Sequence, residues 1–354
     1  MSNKQTCILV LGMHRSGTSA LTGTLSLLDV YLGSKLMKGS FANEKGYFEN
    51  DELFSVNEAL LAECHSSWYD IFYSEDKLEK IKNIDELKAV IKKEFEYSRI
   101  FAIKDPRLAF LFPIYKKILE EFDIDIKVVL PYRNPMEVAN SLHTRDNLSL
   151  EKGMLLWGYH FLLAEKYSRD YERVFINYDD LMNKTEESIR LISQSLNIDF
   201  YTKYTKNKQR IEEFLEPSLK HHNIAIDNLS HNVPVIVQKI LALQDQLNNK
   251  SSLKKFDVLR NELFSYQKLF YNREIVSSLQ ELTQTKEMLS QREQELTQSK
   301  KTLTNKEQLI AKKDTIIMQQ AGEIEALKDE LTFIYTGKSW KITRILRKLK
   351  RYFA

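Results

Sequence analysis

The sequence predicts an α/β fold, a parallel sheet flanked by helices, followed by a long α-helical coiled coil. Three observations support this prediction. Short apolar runs alternate with helix-like segments in the N-terminal part, as in parallel sheets covered by helices. All six prolines lie at or before Pro234, and no glycine occurs between Gly158 and Gly322. Leucine or isoleucine then recurs every seven residues in the C-terminal part.

Four apolar runs are predicted to be buried strands: "CILVL" (7–11), "IFAI" (100–103), "KVVL" (127–130) and "RVFI" (173–176). Helix-like segments lie near residues 18–28, 79–97, 108–121, 136–144, 150–169 and 180–196. Ligands of such sheets bind at the carboxyl ends of the strands. Functional residues are therefore expected directly after these runs.

A single apolar stripe follows in the C-terminal part. Its members at seven-residue spacing are Leu282, Leu289, Leu296, Leu303, Ile310, Ile317, Ile324 and Leu331. The second core position of the heptad is mostly polar, with Thr285, Arg292, Ser299, Lys306 and Lys313. Because so long a stripe needs a partner, we expect a homo-oligomer formed through a coiled coil. A long solvated helix on the protein's own surface is the alternative.

The chain ends in a basic tail, "GKSWKITRILRKLKRY" (337–352), with seven Lys or Arg among residues 338–351 and no acid. Helical spacing places Ile342, Ile345, Leu346 and Leu349 near one face, with Trp340 at the start. Such a basic amphipathic helix indicates peripheral contact with an anionic membrane. A solvated, disordered end is the alternative. The predicted segments are 1–232 (α/β domain), 233–335 (helical and coiled-coil) and 336–354 (tail).

Composition excludes several classes of protein. The formal net charge of +3 on 354 residues is too balanced for general nucleic-acid binding. Two cysteines without a C-x-x-C pair argue against a disulfide framework or a zinc ribbon. No apolar run approaches the roughly 20 residues of a membrane-spanning helix. We therefore expect a cytoplasmic protein, with peripheral attachment to the membrane face as an option.

The stretch "GMHRSGTSAL" (12–21) follows the first apolar run and resembles a phosphate-binding P-loop. Gly12 and Gly17 have the spacing of that loop, but Thr18 stands where its lysine belongs. Backbone N–H groups at such a strand-to-helix junction bind anions. Arg15, Ser16, Thr18 and Ser19 add side-chain donors. An ordinary tight turn is the alternative, although a glycine alone would satisfy a turn.

A second motif, "VVLPYRNPMEVANSL" (128–142), follows the third predicted strand and carries Arg133 with Ser141 eight residues later. With Arg15–Ser19, this pattern resembles the sulfotransferases that use 3′-phosphoadenosine-5′-phosphosulfate (PAPS). The resemblance covers roughly residues 6–200 and implies the sulfotransferase fold. It implies that Arg15, Ser16, Gly17, Thr18 and Ser19 hold the 5′-phosphosulfate. It also implies that Arg133 and Ser141 hold the 3′-phosphate. "GYFEN" (46–50), "KDPR" (104–107) and "EVANSL" (137–142) resemble a bacterial branch of the family.

The resemblance also implies the reaction, an in-line displacement in which an acceptor hydroxyl attacks sulfur. Because PAPS has no γ-phosphate, no metal is expected. Arg15 is placed to stabilise the leaving group, and Lys104 follows a strand that ends in the same crevice. Glu49 is the preferred general base, since neighbouring aromatic residues can raise its pKa. Glu44 is the alternative base, and His65 and His143 are assigned structural or surface roles.

Two assignments remain open at this point. Glu49 could instead be a helix N-terminal charge, and Lys104 a solvated lysine at a strand end. The family has a basic loop that closes over the 3′-phosphate, and "EPSLKHHN" (216–223) lies near that position, which suggests Lys220, His221 and His222.

The tail resembles endings of bacterial surface-polysaccharide glycosyltransferases, which implies a glycan acceptor. The leading hypothesis is therefore a PAPS-dependent sulfotransferase acting on a carbohydrate hydroxyl. One alternative is a nucleotide kinase with a degenerate loop. The other is a non-catalytic coiled-coil tether whose N-terminal domain only binds nucleotide.

Overall fold

The structure is a computed structural model that describes residues 4–37, 39, 46–71, 73–215, 233–247, 249–270 and 273–352. The chain divides into two compact units, Met1–Asn272 and Arg273–Ala354. The first contains the sheet, and the second is helical in its described residues.

The sheet of the first unit has four parallel strands: β1 (Thr6–Val10), β2 (Ile100–Lys104), β3 (Asp125–Tyr132) and β4 (Glu172–Asn177). Their order is β2-β1-β3-β4. The chain moves to one side of β1 to form β2 and to its other side to form β3 and β4. The carboxyl ends of β1 and β3 therefore border the crevice where sheets of this kind bind ligands. The predicted parallel sheet and its four strands are confirmed.

The described residues contain thirteen α-helices. In the first unit these are α1 (Thr18–Leu27), α2 (Asp51–Glu63), α3 (Asp85–Phe95), α4 (Leu108–Glu121), α5 (Pro135–Asp146), α6 (Leu150–Tyr167), α7 (Tyr178–Asn183), α8 (Thr185–Leu196), α9 (Phe200–Phe214), α10 (Val235–Leu241) and α11 (Leu253–Phe270). The second unit consists of α12 (Arg273–Thr336) and α13 (Lys338–Tyr352). The long C-terminal helix expected from the sequence is therefore present.

The alternating side chains of the strands create two apolar layers. Cys7 and Leu9 of β1 face one layer, which α2 to α6, α10 and α11 cover. Ile8 and Val10 face the other layer, which α1, α7, α8 and α9 cover. Because both faces of the sheet are buried, its strands are continuous apolar runs rather than alternating ones.

The first unit extends beyond the domain boundary expected at residues 232 and 233. Helices α10 and α11 bury Ile240, Phe256 and Leu263 in the larger apolar layer. Tyr159 of α6 also donates a hydrogen bond to the Leu263 carbonyl, 3.1 Å away. This packing explains why residues 235–270 belong to the sheet-containing unit.

Candidate active site

The phosphate loop joins β1 to α1 through backbone conformations that few residues adopt. Arg15 has φ 67° and Gly17 has φ 86°, both in the left-handed region. Gly17 precedes α1 and provides no side-chain cap for its first N–H groups. A Cβ atom on Gly17 would lie 2.4 Å from Cδ2 of Tyr178. Left-handed Arg15 is a strained conformation of the kind found at ligand sites. The uncapped helix terminus beside it favours an anion.

Ser16 has a buried hydroxyl that is available to an anion. Its side chain is 1% exposed, and its Oγ has no hydrogen-bond partner among the described residues. A buried hydroxyl without a partner costs about 1–3 kcal/mol. An oxygen of a bound anion would accept its hydrogen bond and remove that cost.

Thr18 and Ser19 complete the predicted loop, and both begin α1. Thr18 is buried. Ser19 Oγ donates to the Tyr47 carbonyl at 3.2 Å and accepts a hydrogen bond from Lys104 Nζ at 3.3 Å. Ser19 thus connects the loop with the segment that precedes α2 and with the end of β2.

Arg15 connects the loop with the second predicted motif. Its Nε donates to Ser141 Oγ of α5 at 2.7 Å. Burial and the positive charges of Arg145 and Arg133 lower the pKa of the Arg15 guanidinium from its ordinary value. A guanidinium whose pKa is lowered in this way still remains protonated near neutral pH. Arg15 is therefore part of a positively charged region that an anion would stabilise.

Arg133 follows the carboxyl end of β3 and is 9% exposed. Its Nε donates to Glu137 Oε2 at 2.6 Å, one turn along α5. Its guanidinium also lies 4.5 Å from the ring centroid of Tyr178, in the geometry of a cation–π contact. Tyr178 therefore packs against both Gly17 and Arg133 and holds the two motifs at a fixed spacing. The sequence reasoning missed Tyr178, although it directly follows β4, where the strand-end rule predicts functional residues.

Lys104 and Glu49 form a buried ion pair beside the loop. Their side chains are 3% and 4% exposed. Lys104 Nζ donates to Glu49 Oε1, to the Tyr47 carbonyl at 3.0 Å and to Ser19 Oγ. Burial raises the pKa of the Glu49 carboxyl, and the nearby Lys104 ammonium opposes that rise. The structure thus brings the predicted base and the predicted strand-end lysine into direct contact.

Two hydrogen-bond networks hold Glu49 in place. Asn50, the next residue, caps α2 by accepting from the N–H groups of Glu52 and Leu53 at 3.1 and 3.0 Å. Its amide also donates to Glu94 Oε2 at 2.7 Å. An asparagine cap of this kind stabilises a helix by about 1 kcal/mol. The start of α2, and Glu49 with it, is therefore fixed.

The "KDPR" motif fixes the same helix from the other side. Asp105 accepts a hydrogen bond from Asn57 of α2 at 2.9 Å. Arg107 donates to Asp105 at 2.9 Å, forms an ion pair with Glu58 and lies 4.4 Å from the Phe54 ring centroid. Neither Asn57 nor Glu58 was predicted from the sequence, because nothing local distinguishes them from other helix residues.

His14 is a further titratable group of the loop that the sequence reasoning missed. Its ring lies 4.3 Å from that of Trp68, edge to face, and its buried Nε2 has no hydrogen-bond partner among the described residues. Burial, reinforced by the charge of Arg145, lowers the pKa of His14 well below its ordinary 6.5. Its imidazole is therefore neutral at pH 7 and has one unprotonated ring nitrogen.

The remaining predicted residues fall into two groups. Glu44, Lys220, His221 and His222 fall outside the described residues. His143 Nδ1 contacts the Leu148 carbonyl at 2.8 Å on the surface, and exposed His65 follows α2. In the part of the chain that the structure describes, no three His, Cys, Asp or Glu side chains are grouped as metal ligands.

No protein-family model matches the chain, and no curated protein sequence matches it. Three solved structures with a similar arrangement are sulfotransferases. The sulfotransferase domain of a Synechococcus olefin synthase has a TM-score of 0.35 and 17% identity, covering 75% of this chain and 96% of that one. The sulfotransferase STF1 of Mycobacterium tuberculosis has a TM-score of 0.36 and 13% identity, and the match covers 60% of this chain and 76% of that one. Mouse sulfotransferase SULT7A1, in a complex with PAP, has a TM-score of 0.34 and 17% identity, and the match covers 79% of this chain and 89% of that one. At TM-scores below 0.5, this likeness does not by itself assign a function.

Proposed function

We propose that this protein is a sulfotransferase that transfers a sulfuryl group from PAPS to a hydroxyl of a carbohydrate acceptor, a polysaccharide or a lipid-linked glycan. The observation that carries the proposal is the contact between Arg15 and Ser141. Through it, an anion-binding loop that lacks the lysine of nucleoside-triphosphate enzymes meets a second cationic motif at the same edge of the sheet. A ligand with two separate anionic groups fits that arrangement.

The residues divide between the two anionic groups of PAPS according to their positions. The loop residues Arg15 to Ser19 and the start of α1 would hold the 5′-phosphosulfate, where buried Ser16 Oγ supplies a donor. Arg133 and Ser141 would hold the 3′-phosphate. Tyr178, which contacts both Gly17 and Arg133, would keep the two subsites at the spacing that the nucleotide requires.

The chemistry assigned to the chain is proton removal and charge stabilisation. PAPS supplies the activated sulfuryl group. As the bond between the acceptor oxygen and sulfur forms and the bond from sulfur to the phosphate oxygen breaks, Glu49 takes the hydroxyl proton. Arg15 and Lys104 stabilise the negative charge that develops on the departing phosphate and on the sulfuryl oxygens. For Lys104 to do so, its Nζ must exchange at least one of its contacts with Glu49, Tyr47 and Ser19 for a ligand oxygen.

A nucleotide kinase with a degenerate loop is the competing enzyme class. Thr18 replaces the loop lysine that would contact the β- and γ-phosphates. Asp105, the acidic residue that directly follows β2, is bound to Asn57 and Arg107 and is 2% exposed. A carboxylate held in this way is poorly available for Mg²⁺, which favours the sulfotransferase assignment.

The test is incubation of the full chain with PAPS labelled with ³⁵S and a panel of free and lipid-linked glycans. We expect label in at least one glycan and release of one 3′-phosphoadenosine 5′-phosphate (PAP) for each sulfate transferred. Binding of PAP without transfer to any acceptor would instead support the non-catalytic tether. Magnesium-dependent consumption of ATP, with no binding of PAP, would support the kinase.

A further inference from the structure

Helix α13, Lys338–Tyr352, presents an uncovered apolar face. Ile342, Ile345, Leu346 and Leu349 are between 49% and 60% exposed. At 3.6 residues per turn these four positions fall within an arc of about 100°. Most aliphatic side chains of the first unit are buried, whereas this face has no covering element among the described residues. It is therefore a surface for another molecule.

The remainder of α13 is strongly basic. Its seven basic residues are Lys338, Lys341, Arg344, Arg347, Lys348, Lys350 and Arg351, and it contains no acidic residue. All seven are exposed. Lys338, the first residue of the helix, falls within the apolar arc, and the other six flank the arc or lie opposite it. Long basic side chains beside an apolar face can extend along it and keep their charges in a polar layer. The binding partner should therefore be negatively charged at its surface and apolar below.

We propose that α13 binds the surface of an anionic lipid bilayer and lies in the interfacial plane. This occupant matches both features, because phosphate headgroups attract the basic side chains and acyl chains accept the apolar arc. A nucleic acid offers the negative charge without an apolar layer. Among the described residues, no helix is long and apolar enough to cross a membrane. The inference is independent of the sulfotransferase activity.

Helix α12 carries a second uncovered feature, the heptad stripe. Its eight members, from Leu282 to Leu331, are between 49% and 61% exposed. On a straight helix of 3.6 residues per turn, a strict seven-residue repeat drifts by about 20° per heptad. A stripe that keeps this repeat for 49 residues stays in contact with a neighbouring helix only if the two helices wind around each other. The neighbour must have the same repeat over the same length.

From the stripe we infer that α12 pairs with α12 of a second copy of this chain. A second copy has the required repeat and length by identity. The second core position of the heptad holds polar residues such as Arg292 and Lys306. These residues would weaken the coiled coil, so that the two chains associate reversibly. Pairing links two α13 helices, and the second helix then binds the membrane at a raised effective concentration.

Co-sedimentation with vesicles tests the membrane proposal. The probes are vesicles of phosphatidylcholine alone and vesicles with about one third phosphatidylserine. We expect binding of the full chain to the anionic vesicles and release at high salt, because salt screens the attraction. Lys348→Gln/Lys350→Gln should weaken binding about 25-fold, since each basic residue near the surface contributes about fivefold. Lys300→Gln/Lys301→Gln on α12 changes the net charge equally and should bind as the wild type.

The apolar arc has its own variant in the same assay. Ile345→Ser/Leu349→Ser should weaken binding with all seven charges retained, and circular dichroism checks that helix content is unchanged. Equal binding to both vesicle types, or equal effects of the α12 and α13 lysine pairs, would overturn the membrane proposal. So would full release of the protein from vesicles by duplex DNA at equal phosphate concentration, which would indicate a partner that offers charge alone.

Analytical ultracentrifugation of the full chain tests the pairing. We expect association at micromolar concentration. Leu296→Glu/Leu303→Glu places charges in the stripe and should convert the protein to a monomer. Gln298→Glu/Asn305→Glu adds the same charges at the same spacing on the opposite face of α12 and should leave association unchanged. A wild-type monomer, or equal effects of the two pairs, would overturn the proposal.

Discussion

Arg15 Nε donates a hydrogen bond to Ser141 Oγ at 2.7 Å, although 126 positions separate the two residues in sequence. Arg15 belongs to the loop that follows β1, and Ser141 lies on the helix that follows β3. Their contact places the two motifs in one site at the crevice between these strands. The proposed function depends on this relationship, because a nucleotide with phosphates at both ends of its ribose would engage both motifs.

Glu49→Gln should lower kcat by roughly 10²–10⁴-fold and leave PAP affinity near the wild-type value, because glutamine keeps the shape but accepts no proton. Labelled-PAPS turnover and calorimetry measure the two effects. Glu52→Gln, on the first turn of α2, is the control and should remain active. Normal turnover by Glu49→Gln would exclude it as the base. Glu44 and His14 would then be substituted next.

The pH profile should report the raised pKa of Glu49. The base acts in its deprotonated form, so kcat should rise with pH through the pKa of Glu49, above the ordinary 4.5. The contribution of Glu49 to the free energy of unfolding changes with pH in the opposite direction to kcat. A raised carboxyl pKa favours the protonated folded state, so this contribution to unfolding free energy falls as pH rises from 4.5 to the raised pKa. Glu49→Gln should abolish this contribution, and an unchanged acidic side of the residual pH–kcat profile would contradict the assignment.

Lys104→Met should destabilise the protein by about 3–5 kcal/mol at pH 7, because it leaves the Glu49 carboxylate buried without its cation. Urea denaturation measures the loss. The double variant Lys104→Met/Glu49→Gln should recover part of it, since no uncompensated charge remains. Lys93→Met, which breaks the exposed pair with Glu52, should cost no more than about 1 kcal/mol. A double variant as unstable as the sum of its single substitutions would mean that the two groups do not interact.

Ser16→Ala should change stability and affinity in opposite directions. Removing a buried hydroxyl without a described partner should raise the unfolding free energy of the ligand-free protein by about 1–3 kcal/mol. The same change should weaken PAP binding, because a donor to the phosphate is lost. Ser168→Ala is the matched control. Ser168 is equally buried, but its hydroxyl donates to the Glu165 carbonyl and accepts from Arg173. Removing this hydroxyl should therefore destabilise the protein. Loss of stability in Ser16→Ala would show that Ser16 has another structural partner.

The sheet could be predicted from the sequence, because strands buried on both faces are continuous apolar runs. All four were found, within a few residues at each end. Helix α9 was missed, since Phe200, Tyr204 and Ile211 are its buried positions in an otherwise polar segment. One helix was expected over 180–196, but the non-helical conformation of Lys184, with φ −134° and ψ 52°, divides it into α7 and α8.

The candidate site was predictable where a local motif encodes it. Arg15 to Ser19, Arg133 and Ser141 lie at strand ends within recognisable spacings, and the structure brings them together. Asn57 and Glu58 could not be predicted in the same way. Each acts through a side-chain contact with another element, and spacing along the chain carries no record of that contact. The pairing of Lys104 with Glu49 likewise joins two segments that are 55 positions apart in sequence.

The central claim, one site for two separate phosphates, is tested most directly by calorimetry of Arg133→Ala. The ligands are PAP and adenosine 5′-phosphate, which lacks the 3′-phosphate. Arg190→Ala is the matched control, because Arg190 also lies over a tyrosine ring and pairs with a glutamate one turn away. We predict that wild type and control prefer PAP. Arg133→Ala should lose on the order of 2–3 kcal/mol of binding free energy for PAP, and almost none for adenosine 5′-phosphate. Equal losses for both ligands, or no preference for PAP in the wild type, would contradict the account.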